Sequence, residues 1–222
     1  MGPGGAPLLR FAACGLIALC AQELPVLVTE DFEKGADRWE FSDPQAWKVL
    51  ETPKGKVLSL FERTTPKPPH KSPFGIALLK DVVVGDFVLE ADVQSTGKAH
   101  PQQDLCLVFG YQDNGHFYYS HLARKTDKGN NQVFIVNGAD RAMISLRTSG
   151  GTDLSDEWTH VKIVRKTADG TIEVYWDDMK TPAQTAQSKV FAWGRVGVGS
   201  FDDLGNFDNV VLRGVQVRPD PK

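Results

Sequence analysis

The residues best equipped for chemistry cluster in the segment 110–121, Gly-Tyr-Gln-Asp-Asn-Gly-His-Phe-Tyr-Tyr-Ser-His, which sets tyrosines and histidines around a turn. Tyrosine presents a flat ring and a hydroxyl, so Tyr119 could stack on or hydrogen-bond a flat, hydroxylated molecule such as a sugar. Histidine changes charge near neutral pH, which would let His121 carry a proton beside such a ligand. The competing possibility is that these aromatics are core and that His121 is a hydrogen-bonded structural histidine.

The elements that must position these groups can be read from the flanks. Asp104 to Tyr111 reads as a strand, Asp113-Asn114-Gly115 supplies residues that tolerate positive φ, and His116 to Ala123 reads as the returning strand of a hairpin. Strand side chains alternate, so Phe117, Tyr119 and His121 share one face and Tyr118, Ser120 and Leu122 the other. On the partner strand Leu105, Leu107 and Phe109 alternate with Cys106 and Val108, and the pattern leaves open which set faces inward.

The rest of the chain repeats this style. The runs 57–61, 76–79, 87–93, 132–136, 142–146, 159–165, 171–176, 195–200 and 207–217 are rich in Val, Ile, Phe and Tyr and end at Gly, Asp, Asn or Pro. Phe87, Leu89, Ala91 and Val93 alternate with Val88, Glu90, Asp92 and Gln94, the two-residue period of a half-buried strand, which sets Glu90 and Asp92 on a solvent face. No dozen residues show a helical period. The expected architecture is all-β, a two-sheet antiparallel β-sandwich or jelly roll. The proline-rich stretch Thr64 to Pro73 and the gap Ser95 to Gln103 read as surface loops, because proline cannot donate to a ladder.

At the N-terminus Arg10 precedes the apolar run 11–21, about half the ~20 residues that a membrane span needs. This predicts a signal peptide at residues 1–21 and a single domain at 22–222, with a secreted or periplasmic location. Acylation at Cys20 is the alternative, against which the bulky Leu19 counts. The net charge is −3, and loss of the leader removes Arg10 and no acid. A mildly acidic surface of mixed charge argues against nucleic acid or an anionic membrane as main partner. Cys14 and Cys20 leave with the leader, so Cys106 has no partner for an intramolecular disulfide and reads as a buried core thiol. There is no Cys/His cluster, Gly-x-Ser-x-Gly elbow or glycine-rich phosphate loop, which sets aside zinc, serine-hydrolase and nucleotide chemistry.

The pieces Asp31-Phe32-Glu33, Trp39, Trp47-Lys48-Val49, Ala77 to Lys80, Gly85 to Val93, Phe109 to Asp113, Phe117-Tyr118-Tyr119, Trp158 to Lys162, Gly197 to Phe201 and Phe207 to Val210 occur in this order. Together they resemble the concanavalin A-like lectin/glucanase superfamily, in particular the laminin-G-like and 3-keto-disaccharide hydrolase-type domains of secreted bacterial proteins. The resemblance spans roughly residues 28 to 217. It implies the sandwich fold; activity must be argued from the site, because the superfamily mixes glycosidases, lyases and binding modules.

The glucanases of this superfamily commonly carry Glu-x-Asp-x-(x)-Glu on one strand, and Glu90-Ala91-Asp92 lacks the third acid. A hydrolase of the 3-keto type would need a base, an acid and an enolate stabiliser. His121 with Asp104 and Lys80 is a loose set of that kind. A carbohydrate ligand would lie on a concave sheet around Tyr111, Gln112, Tyr119 and His121, with Trp193 as a platform at the rim. The resemblance also implies that the first and last strands are neighbours. Glu30 and Asp31, opening the first strand, could then join Asp208 in the last to hold a structural calcium, which takes six to eight oxygens. Two functions are therefore expected: a carbohydrate-binding or carbohydrate-processing domain, which could hydrolyse a 3-keto glycoside, or alternatively a noncatalytic adhesion or structural module.

Overall fold

The computed structural model describes residue 1 and residues 23–219, so the expected leader, Met1 apart, lies outside the described residues. The first strands are β1 (Val26–Glu30), β2 (Trp39–Phe41), β3 (Trp47–Thr52), β4 (Gly55–Leu60), β5 (Gly75–Leu79), β6 (Val84–Ser95), β7 (Asp104–Asp113) and β8 (His116–Ala123). The chain continues through β9 (Gln132–Asn137), β10 (Ala142–Met143), β11 (Ser145–Thr148), β12 (Thr159–Lys166), β13 (Thr171–Trp176), β14 (Gln184–Gln187), β15 (Arg195–Ser200) and β16 (Gly205–Gln216). Among the described residues there is a single 3-10 turn, at Pro44–Ala46, capped by the Asp43 side chain. Among the described residues no helix is long and apolar enough to cross a membrane.

The strands form two antiparallel sheets. One has nine strands, in the order β11-β14-β13-β12-β6-β16-β4-β3 with β1 also on β16, and the other has seven, in the order β10-β9-β8-β7-β15-β5-β2. Between them lies the main core. Phe87, Leu89, Ala91 and Val93 of β6 and Phe207, Val210 and Leu212 of β16 face Leu105, Leu107 and Phe109 of β7 and Tyr118 and Leu122 of β8. The alternation in β6 is therefore the one its sequence predicts, with Glu90 and Asp92 on the outer face. Full burial of each large apolar side chain contributes about 1.5–3 kcal/mol. The Tyr118 hydroxyl in this core is paired, meeting Ser188 Oγ at 2.7 Å and accepting the Phe191 N–H at 3.0 Å, whereas the indole N–H groups of Trp39 and Trp47 are buried without a partner.

The seven-stranded sheet is apolar on its outer face as well. Ile76, Leu78, Cys106, Val108, Phe117, Tyr119, Phe134 and Val136 form a second cluster there. This settles the open question of facing: Tyr118 and Leu122 point between the sheets, and Phe117, Tyr119 and His121 point away from them, yet remain buried. Strands β5 and β15 approach so closely that a Cβ on Gly197 would lie 2.0 Å from the Ala77 carbonyl oxygen, so only glycine fits that position.

The expected strand 142–146 is in fact two. β10 pairs with β9 in one sheet and β11 with β14 in the other, so the chain steps across the open side of the sandwich at Ile144. Glu30 closes the first strand, where the sequence suggested that it opens it, and β1 does pair with β16, with Glu30 opposite Val210.

Candidate functional site

The hairpin β7–β8 contains a bulge. Its register shifts between Phe109 and Asp113, and Gly110 has φ of 59°, a left-handed conformation that glycine adopts without strain. Regular alternation would turn Tyr111 toward the inter-sheet core with Phe109. Against β15 the strand carries one extra residue between Val108 and Tyr111, which instead swings Tyr111 to the outer face, where its ring packs 5.5 Å from that of Phe117.

Tyr111 thereby becomes a wall of a pocket of about 290 Å³. Ile76, Leu78 and Phe117 form the buried floor, and the half-buried rings of Phe41, Phe74 and Tyr111 stand around it. Glu40, Ser42, Asn114 and Lys67 supply polar groups, and the loop Pro66 to Pro69 forms the rim. Ser42 Oγ is already committed, donating to the Phe74 carbonyl and accepting the Ile76 N–H. The Tyr111 hydroxyl donates to Asn114 Oδ1 at 2.6 Å, which leaves its lone pairs and the Asn114 amide N–H groups for a ligand. Burial raises the Tyr111 pKa, so the phenol stays neutral. Glu40 is exposed and pairs with Arg195 at 3.0 Å, and Arg195 is anchored through its Nε–H on the Leu79 carbonyl.

The rim is tied down at both ends. Buried Asp43 accepts the Thr65 N–H at 3.0 Å, and Asp140 accepts the Lys71 N–H at 2.8 Å. A third tie joins Phe74 N–H to the Phe201 carbonyl.

His121 and Asp104 are brought together at the opposite end of β7, with 3.6 Å between His121 Nε2 and Asp104 Oδ2. They are 2% and 1% exposed, so they line no open groove. Arg141 helps to cover this region, donating from Nη1 to the Tyr119 hydroxyl and lying over the rings of Phe134 and Phe201. Burial pushes the Asp104 carboxyl up to about 7 and the His121 imidazole down to about 3, the latter helped by the Arg141 charge. Both shifts favour the uncharged forms.

Lys80 does not join them. It follows the far end of β5 and donates to the Asp37 carbonyl at 3.0 Å, whereas the near end, Gly75, pairs with Ser200, whose Oγ contacts Asp104. Gln112 donates to the Trp193 carbonyl at 3.2 Å, and half-buried Trp193 is not among the residues that line the pocket. Tyr119 is fully buried beneath Arg141. Of the groups expected to hold a ligand, Tyr111 alone lines the pocket. Glu40, Phe41 and Phe74 went unnoticed because a three-residue strand and a proline-rich loop carry no periodic signal.

The acids expected to hold calcium do not converge as a ligand set. Glu30 Oε1 accepts the Phe32 N–H and Asp31 Oδ1 the Glu33 N–H. Asp208, whose pKa is raised by partial burial and then by the charges of Asp92, Asp31 and Glu33, accepts from Asn209. Among the described residues the acids whose oxygens do gather, within 4.8 Å of one another, are Asp104, Asp202 and Asp203, a group that could hold a metal ion. As calcium ligands they fit poorly. Asp104 Oδ2 accepts the Phe201 N–H, Asp203 Oδ2 accepts the Asp104 N–H, and Asp203 Oδ1 meets His100 at 2.8 Å. Asp203 is buried in this network.

No protein-family model matches the chain, and no curated protein matches it. Solved structures do share its fold. The carbohydrate-binding module CBM66 from Bacillus subtilis superposes with a TM-score of 0.58 at 18% identity, covering 80% of this chain and 96% of that one. Domain 4 of AbnA, a GH43 extracellular arabinanase from Geobacillus stearothermophilus, was solved in complex with arabinotriose. It gives 0.57 at 11% identity, with 89% and 96% covered. A Lotus tetragonolobus seed lectin gives 0.56 at 10%, with 86% and 99% covered. At these identities the likeness is one of fold, a two-sheet antiparallel β-sandwich.

Proposed function

We propose that this protein is an exported carbohydrate-binding domain that holds a sugar in the pocket between Tyr111, Phe41, Phe74 and Glu40 without cleaving it. The observation that carries this reading is the pocket's composition, half-buried aromatic rings around an exposed carboxylate. Such rings can take the apolar face of a sugar ring while Glu40 and Asn114 hydrogen-bond its hydroxyls. The names of structures sharing the fold, a carbohydrate-binding module, an arabinanase domain with arabinotriose and a lectin, point the same way. Binding is favoured over turnover because Glu40 is the only carboxylate lining the pocket among the described residues, whereas glycoside hydrolysis usually needs two facing each other across the bond. The other acid–base pair, Asp104 and His121, is closed to solvent. Export rests on the apolar run at 11–21.

The test is calorimetric titration with neutral oligosaccharides, including arabino-, xylo- and fructo-oligosaccharides, against the wild type, Tyr111→Ala and Glu40→Gln. Saturable binding weakened in both variants supports the reading; binding to none, or binding indifferent to both substitutions, overturns it. Release of sugar from a 3-keto glycoside above a boiled control would overturn the noncatalytic part.

A further inference from the structure

A second pocket, independent of the one at Tyr111, lies at the other end of β7. It measures about 340 Å³ and is lined by Ala99, His100, Pro101, Arg124, Lys125 and Thr152, with no carboxylate among them. Three segments build it and are locked together. The Arg124 N–H donates to the Gln103 carbonyl, and the Thr152 N–H to the Ala123 carbonyl. Gly151, with φ of 139°, lies so close to the strand end that a Cβ there would sit 2.1 Å from the Arg124 carbonyl oxygen. The wall carrying Thr152 therefore has a fixed position against Arg124 and Lys125.

The polar groups in this pocket are unevenly satisfied. His100 is engaged by Asp203, and Arg124 donates from Nη1 to the Leu154 carbonyl at 2.6 Å, which leaves the remaining guanidinium N–H groups without partners among the described residues. Lys125 is exposed and likewise has no hydrogen-bond or ion-pair partner among them. Thr152 is 8% exposed, and its buried hydroxyl has no partner. A buried hydroxyl without a partner costs stability, and two cations with unused donors beside it lack a counter-charge.

We propose that this pocket is an oxyanion site for a sulfate or phosphate group, held by the Arg124 guanidinium and the Lys125 ammonium with the Thr152 hydroxyl as a further donor. Charge-assisted bonds from arginine and lysine suit such oxygens. The volume equals about ten waters, more than a bare ion fills, which favours an ester borne by a larger molecule.

The experiment is calorimetric titration of the protein with inorganic sulfate, inorganic phosphate and a sulfated oligosaccharide at constant ionic strength, using wild type, Lys125→Glu, Thr152→Val and Thr152→Ser. The expected result is saturable binding that weakens about tenfold or more in Lys125→Glu and clearly in Thr152→Val, and is kept in Thr152→Ser. Tighter binding of the oligosaccharide with this pattern assigns the ester, and equal binding of the free ions assigns them; either supports the site. Binding that survives Lys125→Glu, or that needs Lys125 and ignores Thr152, means an adventitious ion only and overturns the proposal. So does no binding at all. Melting temperatures without ligand, compared across the variants, separate a lost site from a lost fold.

Discussion

His121 Nε2 lies 3.6 Å from Asp104 Oδ2, and neither side chain meets water to any useful extent. Burial is the largest cause of both pKa shifts, and the two act on stability with opposite sign. Asp104, raised from 3.8 to about 7, keeps a proton in the folded state that the unfolded chain releases, so its contribution falls as pH rises between those values. His121, lowered from 6.5 to about 3, lacks a proton that the unfolded chain binds, so its contribution rises over that range. In the overlap the two slopes offset. Relative to wild type, Asp104→Asn should therefore have a stability that climbs with pH from about 4 to 7, and His121→Gln one that falls from about 3 to 6.5. Each difference approaches ~1 kcal/mol per pH unit. Denaturant midpoints across pH measure this, and variant curves parallel to wild type would refute it.

On the outer face of the nine-stranded sheet, His160 meets Asp92 at 2.6 Å and Glu90 at 3.2 Å. Partial burial alone would lower its pKa, but the hydrogen bonds and charges of the two acids outweigh it and the net shift is upward. The stabilisation is thus complete below pH 6.5, the unfolded value, and is lost as pH rises through the folded one. Wild type should exceed His160→Gln in stability more at pH 5.5 than at pH 9, and high salt should shrink the gap. A gap that grows with pH would contradict this.

Tyr111→Ala should weaken sugar binding roughly two- to tenfold, the value of an aromatic contact, with little loss of melting temperature because the residue stands at a pocket wall. Phe117→Ala, by contrast, removes the buried floor and should cost about 3–5 kcal/mol of stability. Titration and denaturation run side by side on both proteins separate wall from floor.

Chelation should leave the melting temperature unchanged, because the oxygens of Asp104 and Asp203 already accept N–H groups and burial favours protonation of Asp104. A calcium-dependent rise that disappears in Asp202→Asn would instead place a metal in that group.

The sandwich was legible because burial writes a two-residue period into strands such as β6, and the hairpin because Asp113-Asn114-Gly115 marks its turn. Short strands escaped. Gln184–Gln187 is polar yet buries Gln184, whose side chain bonds Ser120, Asn131 and the His121 carbonyl, a role that only tertiary contacts define. The face carrying His121 was undecidable because both faces of β8 are buried, so alternation carries no contrast. Tyr111 was singled out for its chemistry, but its direction depends on the bulge at Gly110, which cannot be read from side-chain type alone.

Asp43 and Asp140 hold the ends of the proline-rich rim, and the prolines between them already have their φ angles fixed. A guest entering beside this rim would find it ordered in advance, so little conformational entropy would be lost on association. Loop closure would not limit the rate of capture, and the empty and filled pockets should superpose. Selectivity would then come from the shape of a rigid edge: a sugar that fits needs no adjustment by the protein, and one that does not fit gets none.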